Sequence, residues 1–227
     1  MKKTTKFLII FLIFNSLNTH LVIAKDSSMV KNTSEYLIFV DINELTLSLV
    51  NKENYTFEKT YPIAIGKKET PSPIGTWQIT SKAHLPGPFG GYWLGLNTPW
   101  DTFGIHGTNN PGSIGSMASS GCIRMYNYHI KEVFSLVNYD TIVIVYPGPT
   151  WLFTSYNRTI HINDKGTDVY FVQRMLKSLG YFNDSVNGIY DYSLEVAVLK
   201  YREEHNLPYV KEIDKAFLDS IGLYKVD

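Results

Sequence analysis

HGTNNPGSIGSMASSGCIRM, residues 106–125, holds the single cysteine of the chain, Cys122, and a histidine, His106, sixteen positions before it. The residues between them are mostly small: Gly107, Gly112, Ser113, Gly115, Ser116, Ala118, Ser119, Ser120 and Gly121. Such residues let backbone approach a ligand closely and enter turn conformations at little cost. A thiol and an imidazole in one small-residue stretch is the equipment of nucleophilic catalysis.

The flanks of this stretch read as β-rich. On its N-terminal side, Trp100–His106 is expected as a strand that would carry His106 on a rigid element. On its C-terminal side, Asn127–Asn138 places Ile130, Val133, Phe134 and Val137 on one helical face. Further out, Tyr92–Leu96, Thr76–Thr80, Tyr55–Ile65 and Tyr36–Val40 are apolar or aromatic runs of strand length, and Leu45, Leu47 and Leu49 alternate with polar residues. Pro71 and Pro73 keep residues 70–75 an extended loop. Thr141–Val145 reads as a closing strand. The pattern predicts a mostly β domain over residues 35–146 with one main helix.

Pro147-Gly148-Pro149 marks a boundary. Residues 147–159 are expected as a linker, and residues 160–222 as a small three-helix domain. Val169, Val172, Leu176 and Leu179 form the first stripe; Ser193 is the expected cap of the second helix and Asp214 that of the third. At the other end, residues 1–24 read as a secretory signal: Lys2, Lys3 and Lys6, the apolar run Phe7–Phe14, and small residues before a cut after Ala24. Residues 25–34 are a polar leader. Export to the cell wall or periplasm is the expectation.

Composition narrows the function. The chain of 227 residues is 44% hydrophobic and 19% charged, in the globular range. Basic and acidic residues balance at 21 each, which gives no electrostatic case for nucleic acid. A lone cysteine in an exported chain cannot form an internal disulfide, and its polar, small-residue neighbours favour a reactive thiol over an inert core cysteine. No His/Cys/Asp cluster has the spacing of metal ligands, and neither a metal nor another cofactor is expected.

The candidate base for Cys122 is His106, weighed against His84 and His129. Ser119, Ser120 and Gly121 form the loop whose backbone N–H groups would face a developing oxyanion. Arg124 is a candidate to bind a substrate carboxylate or to orient the loop. Tyr92 and Trp93 are read as substrate-contacting aromatics.

Residues 35–146 resemble the L,D-transpeptidase (YkuD-type) catalytic domain, a family of bacterial cell-wall enzymes. The resemblance lies in the 106–125 stretch, in Phe103–Thr108 (FGIHGT), and in Gly66, Lys67 and Thr70–Gly75 (TPSPIG). It implies a β-sandwich-like fold with Cys122 as nucleophile, His106 as base, and the Gly107 carbonyl orienting the imidazole. It implies acyl transfer on peptidoglycan tetrapeptide stems: a thioester forms, D-Ala leaves, and a second stem's amine completes a 3→3 cross-link. It also implies acylation of the cysteine by carbapenem β-lactams. Many members carry histidine directly before the glycine of the cysteine motif, where this chain has Ser120. Residues 160–222 resemble a three-helix peptidoglycan-binding domain, through Gly166–Tyr181, Asn187–Tyr190 and Ala197–Arg202, which implies glycan as a partner. An L,D-carboxypeptidase using the same site, an inactive wall-binding protein and an unrelated cysteine peptidase are the alternatives.

Overall fold

The computed structural model describes residues 34–148 and 158–223. The expected signal, the leader up to residue 33 and residues 149–157 of the linker lie outside them. Ten strands and one helix make up the N-terminal part: β1 (Tyr36–Asp41), β2 (Thr46–Asn51), β3 (Phe57–Pro62), β4 (Ile65–Gly66), β5 (Gly75–Ala83), β6 (Trp93–Leu96), β7 (Gly104–His106), β8 (Met117–Ser119), β9 (Ile123–Arg124), α1 (Asn127–Leu136) and β10 (Ile142–Tyr146). Eight of the strands form one sheet in the order β3-β2-β1-β10-β5-β6-β7-β9, and β4 pairs with β8 beside it. One buried cluster takes side chains from β1 and β2 through β10 and β5 to β7 and β9, together with Ile130 and Val133 of α1. A single face that meets itself around one core means that the sheet is curled. Leu37, Phe39, Val50 and Ile144 form a smaller cluster on its other side. The protein is thus mostly β with one helix, followed by a helical C-terminal part.

The expected strand over Tyr55–Ile65 is two strands. Pro62 has no N–H to continue the ladder with β2, where it stands opposite Thr46. The chain then leaves the sheet, and Ala64 exchanges backbone hydrogen bonds with Arg124 instead. The strand expected over Trp100–His106 pairs only from Gly104 onward, because residues 98–101 close a turn in which the Thr98 hydroxyl donates to the Asp101 carbonyl at 2.8 Å.

The C-terminal part contains α2 (Thr167–Ser178), α3 (Tyr192–Glu204) and α4 (Lys215–Ser220). Val169, Val172 and Leu176 of α2 meet Leu194 and Val198 of α3 and Phe217 of α4 in a second core. The cap of α3 is Asp191, which accepts from the Leu194 N–H at 3.1 Å. Ser193 lies inside the helix and donates its hydroxyl to Asp191. The carboxylate is the stronger acceptor for helix N–H groups, and it moves the start back two residues. Asp214 caps α4 as expected, accepting from Phe217 N–H at 2.8 Å. Arg202 is completely buried in this part. Its guanidinium donates to the carbonyls of Pro208 and Glu212 and to Asp214, and lies over the Phe217 ring. Among the described residues no helix is long and apolar enough to cross a membrane.

Candidate active site

Strand register decides the site. β7 and β9 run parallel, with Ile105 opposite Ile123 and His106 opposite Arg124. Side chains alternate along a strand, so Ile105 and Ile123 turn into the core, where both are fully buried. His106 and Arg124 take the other face. Cys122 stands two positions before Arg124 and shares that face, beside Gly104, whose backbone hydrogen-bonds it. Strands lie about 4.8 Å apart and rise about 3.3 Å per residue, so the His106 and Cys122 backbones sit on a diagonal of about 8 Å. Carried one residue back from β9, the same alternation puts the Cys122 thiol on the side of the sheet that bears the imidazole.

His106 is held tightly. Its Nδ1 lies 2.5 Å from the carbonyl oxygen of Gly107. A carbonyl only accepts, so Nδ1 carries the proton and Nε2 is left as the basic nitrogen. Trp93 stacks on the imidazole at 5.6 Å between centroids, and Phe89 meets it edge-on at 5.0 Å. Trp93 can lie there because Gly104 has no side chain: a Cβ at Gly104 would stand 2.6 Å from the indole. Burial pushes the His106 pKa below its ordinary value; the Gly107 bond opposes this and the Arg124 charge adds to it. Burial pushes the Cys122 thiol up, against the opposing effects of the Gly104 bond and Arg124. The resting pair is therefore neutral thiol and neutral imidazole, an arrangement suited to proton transfer in step with attack.

The loop before Cys122 is closed on itself. The Ser119 hydroxyl donates to the Cys122 carbonyl at 2.5 Å and accepts from the Gly121 N–H at 3.1 Å. Gly121 has φ of 113° and a missing Cβ that would fall 2.3 Å from the Phe103 ring, so only glycine fits there. Its N–H is not available to an oxyanion, contrary to expectation, because the Ser119 hydroxyl already takes it. The N–H groups of Ser120 and Cys122 remain.

The other expected residues divide. Ser120 is exposed and borders a cleft beside Phe103. The Arg124 guanidinium shares the face of Cys122 and His106, and no carboxylate pairs with it among the described residues. Trp93 is 9% exposed and packs on His106 rather than presenting a surface to substrate. Tyr92, the residue just before β6, packs instead on His84 and Phe134. It lines a separate groove with Lys82, Tyr128 and Lys131. His84 is thereby removed from the thiol, and His129 packs among Tyr61, Tyr126 and Tyr128.

Residues 35–145 match the model of the L,D-transpeptidase catalytic domain, YkuD. A Bacillus licheniformis protein described as "Putative L,D-transpeptidase YkuD" is 45% identical over 117 residues, 51% of this chain and 68% of that one. This chain belongs to the YkuD family of L,D-transpeptidases. The Bacillus subtilis protein of the same description is 46% identical over 114 residues, covering 50% of this chain and 67% of its own. Residues 165–219 match the model described as "Putative peptidoglycan binding domain". Among solved structures, an L,D-transpeptidase from Mycobacterium smegmatis is 22% identical with a TM-score of 0.42, covering 49% of this chain and 58% of that one. An Enterococcus faecium L,D-transpeptidase is 25% identical with a TM-score of 0.43, covering 50% of each chain. The chain thus spans between half and three fifths of those solved chains.

Several residues hold the YkuD site together in ways that the sequence does not spell out. The Asn127 side chain accepts from the Thr108 N–H at 2.7 Å. Its Oδ1 also occupies the space where a Cβ of Gly90 or Gly107 would stand, and so fixes the peptide whose carbonyl orients His106. Ser72 is 1% exposed, and its hydroxyl accepts from the Gly66 N–H at 3.0 Å. Lys67 N–H and the Thr70 hydroxyl both donate to the Ser119 carbonyl, at 2.9 and 3.2 Å. The TPSPIG segment of the family motif is thus a clamp on the cysteine loop. Its composition signals a loop; what the loop holds depends on the pairing of β4 with β8.

Proposed function

We propose that this protein is an exported cysteine L,D-transpeptidase that forms 3→3 cross-links in peptidoglycan. The observation that carries the reading is the placement of Cys122 and His106 on one face of β7 and β9, with His106 Nδ1 bound to the Gly107 carbonyl. That bond makes a separate Asn or Asp orienter unnecessary, and so disfavours an unrelated cysteine peptidase.

The steps follow from the two neutral groups. Cys122 Sγ attacks the carbonyl of the third residue of a tetrapeptide stem while its proton passes to His106 Nε2. The oxyanion accepts from the N–H groups of Ser120 and Cys122. The intermediate collapses, the C–N bond to the terminal D-Ala breaks, and the imidazolium gives its proton to the leaving amine. A thioester remains on Cys122. An amine of a second stem then loses its proton to His106 and attacks the thioester, and Cys122 leaves as a thiol by recovering that proton. The product is an amide between two stems. Water in place of the amine would give L,D-carboxypeptidase activity. Arg124 holds the carboxylate of the stem, and the C-terminal part attaches the enzyme to glycan. Residues 1–24 direct export to the wall or periplasm, with cleavage after Ala24.

The test uses a carbapenem as an acylating probe. Incubated with imipenem and weighed intact, the wild-type chain gains one adduct per molecule and the Cys122→Ala chain gains none. No adduct on the wild type, or one that persists in Cys122→Ala, would sink the enzyme reading. Muropeptide analysis of treated sacculi then separates cross-linking from simple release of D-Ala.

A further inference from the structure

Two routes of contact lead from the helical C-terminal part to the residue before the nucleophile. The first runs through the 70–75 loop. The Thr167 hydroxyl of α2, 1% exposed, accepts from the Ile74 N–H at 3.2 Å. In the same loop Thr70 donates to the Ser119 carbonyl, and the Pro71 carbonyl oxygen lies 3.3 Å from where a Cβ of Gly121 would stand. The second route runs through aromatic rings. Tyr170, about one helical turn further along α2, packs on Trp77 at 5.5 Å and on Trp100 at 5.6 Å. Trp100 meets Phe103 at 6.2 Å, and the Phe103 ring fills the space beside Gly121. Trp77 ties the routes together, since its Nε1 donates to the Pro73 carbonyl at 2.9 Å and its ring meets Trp100 at 5.3 Å.

Gly121 is thus held between the Pro71 carbonyl and the Phe103 ring, and each of these is reached from α2. The peptide that joins Gly121 to Cys122 carries the Cys122 N–H, one of the two donors left for the oxyanion. A shift of Gly121 therefore turns that N–H and moves the thiol with it.

We propose that Thr167 and Tyr170 are positioning residues for Cys122: the docked helical part braces the cysteine loop, and the chemical step in the catalytic domain depends on it. The part then serves catalysis as well as any attachment to glycan. The inference rests on the transpeptidase reading, and its test tells the two apart. Without the Thr167 hydroxyl the buried Ile74 N–H loses its acceptor, and the loop moves to find another. Without the Tyr170 ring, Trp77 and Trp100 lose a packing partner and Phe103 loses its backing. Either change misaligns the thiol and the oxyanion donor, which slows reaction of a bound reagent and leaves its binding nearly alone.

The experiment follows imipenem acylation of the full chain by intact mass against time, over a range of imipenem concentrations. It yields the rate constant at saturation, the half-saturating concentration and the fraction acylated at the end. For Tyr170→Ala and for Thr167→Val the saturating rate constant is expected to fall about tenfold, with the half-saturating concentration within about threefold of wild type. The final fraction stays complete, because a folded but misaligned site still reacts. Tyr170→Phe keeps the ring and Thr167→Ser keeps the hydroxyl, so each should recover the wild-type rate constant to within about twofold. A saturating rate constant within about twofold of wild type in either Tyr170→Ala or Thr167→Val overturns the proposal. So does a loss confined to the final fraction, which marks unfolded chains, or a loss that the conservative variants fail to recover. Variants that match a reactive wild type remove the bracing alone; a wild type that takes no adduct removes the transpeptidase reading and the bracing with it.

Discussion

His106 shows how much one backbone carbonyl decides. The bond from its Nδ1 to the Gly107 oxygen fixes the tautomer, and Asn127 fixes that peptide in turn. Asn127 is exposed at the start of α1, so its removal spares the core. Asn127→Ala is expected to lower kcat by about 10- to 100-fold with little change in melting temperature, as a loosened imidazole misses its alignment with the thiol. Stopped D-Ala release and a thermal melt check the two halves of that statement. His106→Gln should cost more, about 10²- to 10⁴-fold, because the base itself is gone. The pH dependence follows from burial. The His106 pKa lies below 6.5, so the imidazole is still neutral and basic when the pH has fallen to that value. The acid limb of imipenem acylation should therefore lie below pH 6.5, and a limb centred above it would contradict the burial argument. The residue scale also separates two residues that the sequence reads alike. Tyr92 and Trp93 are adjacent aromatics, indistinguishable by composition. Trp93, the first residue of β6, packs on His106, and Tyr92, just before the strand, packs on His84 and Phe134.

At the scale of elements, the site depends on short pieces of strand that local pattern barely marks. β4 and β9 have two residues each and β8 three. None is long enough to show a period in sequence, and each exists because a partner supplies its hydrogen bonds. Gly66 is the tightest of these junctions: a Cβ there would meet the Thr70 carbonyl oxygen at 2.2 Å and the Ser72 nitrogen at 2.7 Å. Gly66→Ala is expected to destabilise the catalytic domain by about 1–3 kcal/mol, since backbone must shift to admit the methyl. Chemical denaturation measures it, and a change within error would show that the clamp is slack. The long elements behaved differently. The stripe of Val169, Val172 and Leu176 was legible because a 12-residue helix shows several turns of its period. The cap of α3 was not, because Asp191 and Ser193 are both good caps and only the path of the incoming chain selects one. Asp191→Ala should cost about 1 kcal/mol of stability in the C-terminal core, where Ser193→Ala costs less, and paired denaturation curves would rank them.

The whole molecule is a curled sheet carrying a thiol-imidazole pair with a helical part docked beside it. On the proposed function, the Cys122→Ala chain should co-sediment with purified sacculi, and a chain that stays in the supernatant would count against wall binding. The sequence by itself determined the chemical content of this protein. It supplied one thiol, one histidine delivered by an apolar strand, glycines where backbone crowds, and two segments whose periods differ, one near two and one near 3.6. Those properties are local, set by residue type and short spacing. Only the tertiary structure decided which residues meet. Cys122 and His106 share a face because β7 and β9 pair in parallel with one register; a slip of one residue would turn the thiol into the core. The Gly121 N–H is taken by Ser119, and the cleft that Ser120 borders is also lined by residues about forty positions away in the chain. Contacts between distant segments follow from how the whole chain buries its apolar faces at once, and no window of sequence holds that information.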